Sequence, residues 1–125
     1  MKTAKRIKII IAALTISATL AQPVLLLAAD EKEAKTEEIK GEVVDLMCYL
    51  DHGAKGEKHK GCAEGCIKGG GPVGLLSGDQ VYLVVGDHKP LNAELASKAG
   101  QEVTLKGQIA TRSGMKMIQK AELVK

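Results

Sequence analysis

Residues 102–124 have the sequence EVTLKGQIATRSGMKMIQKAELV, and this stretch indicates the fold most directly. Apolar and polar residues alternate over most of 102–110 and 115–124, which is the period of a β-strand with one buried face. The intervening residues 111–114, TRSG, are typical of a turn. The stretch is therefore predicted to form an antiparallel hairpin.

Upstream of the hairpin, the pattern predicts one short helix and three more strands. Asn92 is a predicted N-cap for the segment AELASKA, and Gly100 is a predicted helix stop. Asp45 is interpreted as a polar residue on the face of the first strand. The predicted strands are 42–50, 73–76 and 81–85, with a turn at 77–79 between the last two.

The order strand, strand, strand, helix, strand, strand is that of the OB-fold. The predicted fold is therefore mainly β: a small five-stranded OB-like Greek-key barrel over residues 41–125, with one short helix between strands 3 and 4. A Gly- and Cys-rich insertion separates strands 1 and 2. Another small barrel or an open five-stranded sheet is the alternative, because spacing along the chain does not fix the order of strands in a sheet.

The N-terminal segment 1–29 has the pattern of a signal peptide. Four basic residues precede an apolar run of thirteen residues at 9–21, and small residues follow. Export to the periplasm or the cell exterior is expected. The alternative is an uncleaved anchor over 9–29, the one case in which we expect membrane contact. Residues 30–40 are mostly charged and are predicted to be a solvated tether.

Composition excludes some classes of partner. The net charge of +3 comes from segment 1–29, which holds four of the 18 basic residues and no acidic one, so 14 basic and 15 acidic residues remain. The remaining chain therefore has no electrostatic attraction to a phosphate backbone. Tyr49 and Tyr82 are the only aromatic residues, too few for a surface that stacks bases. Nucleic acid is not an expected partner.

The insertion between the first two strands is the predicted site of function. Segment 51–72 contains two of the three cysteines and two of the three histidines. Because glycine pays the largest backbone entropy on ordering, a bound ligand or a cross-link is expected to order this segment. Seven glycines lie in it: Gly53, Gly56, Gly61, Gly65, Gly69, Gly70 and Gly71.

The cysteines and histidines of the loop 48–72 form the pattern Cys48-x3-His52-x6-His59-x2-Cys62-x3-Cys66. If 59–68 is helical, His59, Cys62 and Cys66 project from one face. Cys48 would complete a Cys3His set, with His52 as an alternative donor. Thiolate and imidazole ligands suit Zn(II), and three sulfurs also suit Cu(I). Nearby lysines are expected to lower the thiol pKa: Lys55, Lys58, Lys60 and Lys68.

Two other interpretations of the cysteines stay open. In an oxidising compartment, Cys48 could pair with Cys62 or Cys66, leaving one spare thiol and a disulfide-stabilised module that binds another envelope protein. A thiol redox enzyme is the third interpretation, although the x3 spacing and the β-rich pattern differ from those of thiol–disulfide oxidoreductases. No catalytic residue is assigned.

Several segments together resemble small exported bacterial OB-like proteins. The resemblance covers residues 41–124 and implies export, a barrel and a shared cysteine-containing loop, with no particular substrate. The segments that carry it are GEVVDLMC at 41–48, CAEGCIKGGGPVGLL at 62–76, VYLV at 81–84 and VTLKGQI at 103–109.

Overall fold

The computed structural model describes residues 35–125. The predicted signal peptide or anchor at 1–29, and residues 30–34 of the predicted tether, lie outside the described residues. Within 35–125, none of the helices combines the length and the apolar character needed to cross a bilayer.

Five strands close into a barrel in the order β1-β2-β3-β5-β4, and β4 pairs back onto β1. The β3–β5 pair is parallel, and the other pairs are antiparallel. This arrangement confirms the predicted OB-like barrel. The strands are β1 (Thr36–Asp45), β2 (Val73–Ser77), β3 (Gln80–Val84), β4 (Glu102–Arg112) and β5 (Met115–Leu123).

Short helices fill two of the connections. Two of them, joined by a 3₁₀ turn, occupy the connection from β1 to β2, and the third lies between β3 and β4 as predicted. The helices are α1 (Leu46–His52), α2 (Lys60–Lys68) and α3 (Asn92–Leu95), and the 3₁₀ turns are Glu57–His59 and Ala96–Lys98.

The first strand ends earlier than the sequence pattern predicted. The predicted strand 42–50 is wrong after Asp45, where α1 begins. The Asp45 backbone is extended, and its Oδ2 accepts a hydrogen bond of 3.0 Å from the Cys48 amide. Asp45 is thus the N-cap of α1, because its carboxylate satisfies an amide that the first helical turn leaves without a partner.

The first strand also begins earlier than predicted. β1 starts at Thr36, inside the predicted tether, so the tether prediction is wrong for 36–40. These residues pair with β4, from Thr36 opposite Gln108 to Lys40 opposite Thr104. Their charged side chains are exposed, and Ile39 packs against the core. Backbone hydrogen bonding to β4 therefore extends β1 over residues whose side chains are mostly exposed.

The barrel interior is built from aliphatic side chains. Tyr82 is only partly buried at its edge. Ile67 comes from α2, so the core fixes α2 against the barrel. The largest side chains that are fully buried in it are Ile67, Leu75, Leu95, Leu105 and Ile118.

Asn92 has a different role from the predicted helix cap. Leu91 occupies the N-cap position of α3, and the Asn92 side chain makes no capping bond there. Its Nδ2 instead donates to the carbonyl oxygens of Ile67 and Gly71, both at 2.7 Å. Asn92 thereby joins the connection after β3 to the C-terminal end of α2.

Candidate metal centre

The three cysteines converge at the surface of the insertion. Cys48 lies in α1, whereas Cys62 and Cys66 lie in α2, and their Sγ atoms are all within 4.8 Å of one another. All three are free thiols; Cys62 is exposed, and the other two are half-buried. The predicted cysteine part of the site is therefore brought together by the fold.

The α2 helix positions two of these thiols. Residues four apart lie on the same helix face, so Cys62 and Cys66 point the same way. Ala63 and Ile67 lie about 100° around the helix from the cysteines and are buried against the barrel core. This burial fixes the orientation of α2 and leaves its cysteine face outward.

The α1 helix brings in the third thiol. It begins at the Asp45 cap and ends at Gly53, which has a left-handed φ of 72° and donates from its amide to the Tyr49 carbonyl at 2.8 Å. A left-handed C-terminal glycine is a common helix end. Asp45 and Gly53 therefore limit α1 to seven residues, and Cys48 in this helix lies beside α2.

The predicted glycine-rich loop is largely helical, and the prediction of helical turns in 59–68 is confirmed for Lys60–Lys68. Gly61 and Gly65 lie inside α2, where no neighbouring atom lies within 4 Å of a Cβ added at either position. Ala63 and Ile67 are buried and pack α2 against the core. The expectation that a cross-link or ligand orders this segment stays a prediction.

The two predicted histidine ligands lie near each other and outside the thiol group. The rings of His52 and His59 have centroids 6.1 Å apart, and the Nδ1 of His52 is 3.1 Å from the Oδ2 of Asp51. Among residues 35–125, the cysteines alone form a group of three or more converging donors. His59 precedes α2 in a 3₁₀ turn, so the helical spacing used to place it beside Cys62 does not apply there.

A buried carboxylate raises the pKa of two of the thiols, Cys48 and Cys66. A hydrogen bond to Asp45, together with burial, raises the pKa of the Cys48 thiol from its ordinary value to about 12. Burial and the charge of Asp45 also raise the pKa of Cys66. Both pKa values are thus raised, whereas the nearby lysines were predicted to lower them. Two of those lysines have acidic partners instead, since Lys68 pairs with Glu64 at 2.6 Å and Lys60 with Glu57 at 3.7 Å.

The sulfur geometry suits a soft or borderline metal ion. Zn–S bonds of about 2.3 Å in a tetrahedral site place the sulfurs roughly 3.8 Å apart. Separations of up to 4.8 Å can close to that value through small rotations of exposed or half-buried side chains. Binding would exchange the thiol protons for the metal, because thiolates are the ligating form.

No protein-family model, curated protein or solved structure matches the chain.

Sequence reasoning missed Asp45 as a member of the site's surroundings. Asp45 is the last residue of β1, in keeping with its interpretation as a strand residue, but it is only 2% exposed and also caps α1. The sequence does contain a usable signal. An Asp three residues before Cys48 is the spacing at which an N-cap carboxylate accepts from a backbone amide.

Proposed function

We propose that this is a small exported metal-binding protein that holds Zn(II) or Cu(I) through Cys48, Cys62 and Cys66. The observation that supports it is the convergence of the three Sγ atoms within 4.8 Å of one another. Three thiolates favour soft and borderline ions over Mg²⁺ or Ca²⁺. No general base or substrate pocket is assigned beside the thiols, so the proposed role is binding.

Sequestration or transfer of the ion fits better than structural support. The cysteine-bearing helices are held by contacts that need no metal: the burial of Ile67, the Asp45 cap and the Asn92 hydrogen bonds. Cys62 is exposed, which gives an incoming or outgoing ligand access to the ion. Structural zinc sites are instead typically closed and necessary for folding.

Export belongs to the same proposal. It is supported by the signal-peptide pattern of segment 1–29 and by the resemblance of 41–124 to small exported OB-like proteins. The proposed location is the periplasm or the cell exterior. The proposed exchange partner is an envelope protein that donates or accepts the ion.

A disulfide-stabilised interaction module is the second candidate, and the same distances favour it. Any two Sγ atoms within 4.8 Å can reach bonding distance after a modest side-chain movement, and an exported protein meets oxidants. In that case one thiol would remain, no metal would bind, and the barrel face would bind another envelope protein.

Mass spectrometry separates the two candidates. The exported protein is purified without chelator or reductant, and its native mass is compared with its mass after denaturation and alkylation. Metal binding predicts one bound ion and three alkylatable cysteines, and Cys66→Ser should lose the ion. His59→Ala is the matched control, because His59 lies outside the thiol group. A metal-free protein, two hydrogens lighter and with a single alkylatable thiol, would overturn the proposal.

A further inference from the structure

Asp45 is a buried carboxylate at the junction of β1 and α1. It is 2% exposed and is the only polar or charged residue among the buried residues of 35–125. Its Oδ2 accepts from the Cys48 amide at 3.0 Å, whereas its Oδ1 is buried without any hydrogen-bond partner. One oxygen therefore caps the helix, and the other has no role within the described part of the chain.

A buried carboxylate oxygen without a partner is costly. Removing such a group from water without a compensating hydrogen bond or cation is strongly unfavourable. No lysine or arginine among residues 35–125 forms an ion pair with Asp45. Gly71 leaves space beside this oxygen because it has no side chain. A Cβ added at Gly71 would lie 3.1 Å from Oδ1.

The carboxylate lies against the thiol group. Its Oδ2 is hydrogen-bonded to the Cys48 amide, and its charge acts on the Cys48 and Cys66 thiols. It lies outside the set of donors that are mutually within 4.8 Å of one another, but it lies beside the segments that carry Cys48 and Cys66. A Cβ added at Gly71 would lie 3.1 Å from Oδ1 and 2.9 Å from the Cys66 carbonyl oxygen. A cation bound by the three sulfurs would lie close to the oxygen that lacks a partner.

We propose that Asp45 supplies the fourth donor of the metal centre through Oδ1 and makes the centre selective for Zn(II) over Cu(I). This inference rests on the proposed function. Zn(II) prefers four ligands and accepts carboxylate oxygen at about 2.0–2.2 Å. Cu(I) is satisfied by soft sulfur ligands and gains little from a carboxylate.

The net charge of the site also favours Zn(II) over Cu(I). Three thiolates and one carboxylate carry four negative charges, so a divalent ion leaves a net charge of about −2 and a monovalent ion about −3. The larger residual charge is harder to accommodate in a site whose carboxylate is buried. Asp45 therefore stabilises a Zn(II) centre and disfavours a Cu(I) centre built from the same sulfurs.

The test compares metal affinities of the wild type and Asp45→Asn. Asparagine caps helices about as well as aspartate, so α1 should still form. Asp51→Asn is the matched control, because Asp51 is an exposed carboxylate at the far end of α1. Affinities for Zn(II) and Cu(I) are measured by competition with chromophoric chelators, and Co(II) serves as a spectroscopic probe of the ligands.

Asp45→Asn should weaken Zn(II) binding by about 10–100-fold, the range seen when groups that support a metal site are removed. The affinity for Cu(I) should stay the same or rise. The thiolate-to-Co(II) charge-transfer bands should persist, because the sulfurs remain, while the d–d bands shift. Asp51→Asn should match the wild type in every measurement.

The proposed function and the role of Asp45 can be refuted separately. If wild-type protein binds neither Zn(II) nor Cu(I), the proposed function itself falls. If it binds Cu(I) but not Zn(II), the proposed function stands and the selective role of Asp45 falls. If the wild type binds both ions and Asp45→Asn gives the same affinities and the same Co(II) spectrum, only the role of Asp45 falls. If Asp45→Asn does not fold, infrared difference spectra of the wild type decide: Zn(II) should shift one carboxylate stretch, and no shift overturns the role of Asp45.

Discussion

Asn92 links the connection after β3 to the segment that carries Cys66, and its replacement gives a sharp test of the fold. Its Nδ2 donates to the carbonyls of Ile67 and Gly71 at 2.7 Å each. Asn92→Ala removes both donors and leaves two carbonyl oxygens at the end of α2 without this partner. We expect the metal-free protein to lose stability as a result.

The size of the loss follows from the two bonds. Each hydrogen bond contributes a net of about 0.5–1.5 kcal/mol, so the free energy of unfolding should fall by about 1–3 kcal/mol. For a domain of this size, each kcal/mol lowers the melting temperature by about 4–8 °C. A fall of about 2 kcal/mol therefore corresponds to roughly 8–16 °C. Asn92→Asp should lose at least as much, because it sets a carboxylate against two carbonyl oxygens.

Urea denaturation of the reduced, metal-free protein, followed by circular dichroism, measures this free energy. Glu94→Gln is the matched control, since Glu94 is an exposed residue of the same short helix and its side chain makes no hydrogen bond within residues 35–125. It should behave as the wild type does. The stabilising role of Asn92 is refuted if Asn92→Ala lowers the free energy of unfolding by less than about 0.5 kcal/mol, the range of ordinary surface substitutions. It is also refuted if Asn92→Asp is as stable as the wild type.

Three further predictions concern packing and the thiols. Gly107→Ala should destabilise the barrel by about 1–3 kcal/mol, because the new Cβ would lie 2.5 Å from the Ile118 Cγ2 atom. Gly65→Ala should stabilise the protein by about 0.5–1 kcal/mol, because Gly65 is helical and has open space around it. Both effects are measured by urea denaturation. The alkylation rate of Cys48 should be low near neutral pH and should rise until the pH reaches about 12, since the nearby carboxylate raises the pKa of this thiol and thiolate is the reactive form.

Each of these predictions has an outcome that contradicts it. Equal stability of Gly107→Ala and the wild type would show that β4 and β5 can separate at no cost. A loss of stability in Gly65→Ala would show that α2 needs a glycine there. For Cys48, alkylation is followed in a variant with both other cysteines replaced by serine. A rate that levels off near pH 9, the ordinary pKa of a thiol, would contradict the proposed influence of Asp45.

Strands that are apolar runs bounded by turns were predictable from the sequence. The structure places β2, β3 and the β4–β5 hairpin within two residues of the predicted bounds. Buried and more exposed positions recur along β4 and β5, whereas β2 is buried along most of its length. Glycine-containing turns join β2 to β3 and β4 to β5. The first strand was predicted less well. Its N-terminal half is fixed by backbone pairing with β4 rather than by apolar side chains, and its C-terminal end is fixed by the Asp45 cap.

The thiol group was predicted and its surroundings were not. Cys62 and Cys66 are close in sequence, so helical spacing alone places them on one face. Cys48 joins them because the caps of α1 end that helix beside α2. His59 was predicted from the same helical spacing, which does not hold across the 3₁₀ turn that ends at His59, and His52 was predicted only as an alternative donor.

The sequence by itself determined which segments alternate as strands and which residue types bear the soft donors, because both properties depend on neighbours along the chain. Tertiary structure alone decided that β3 and β5 pair in parallel and close the barrel. It also decided that Asp45 is buried beside the thiols with one oxygen lacking a partner. The physical reason is that burial and charge contacts arise between segments distant in sequence, and no local pattern encodes which segments meet.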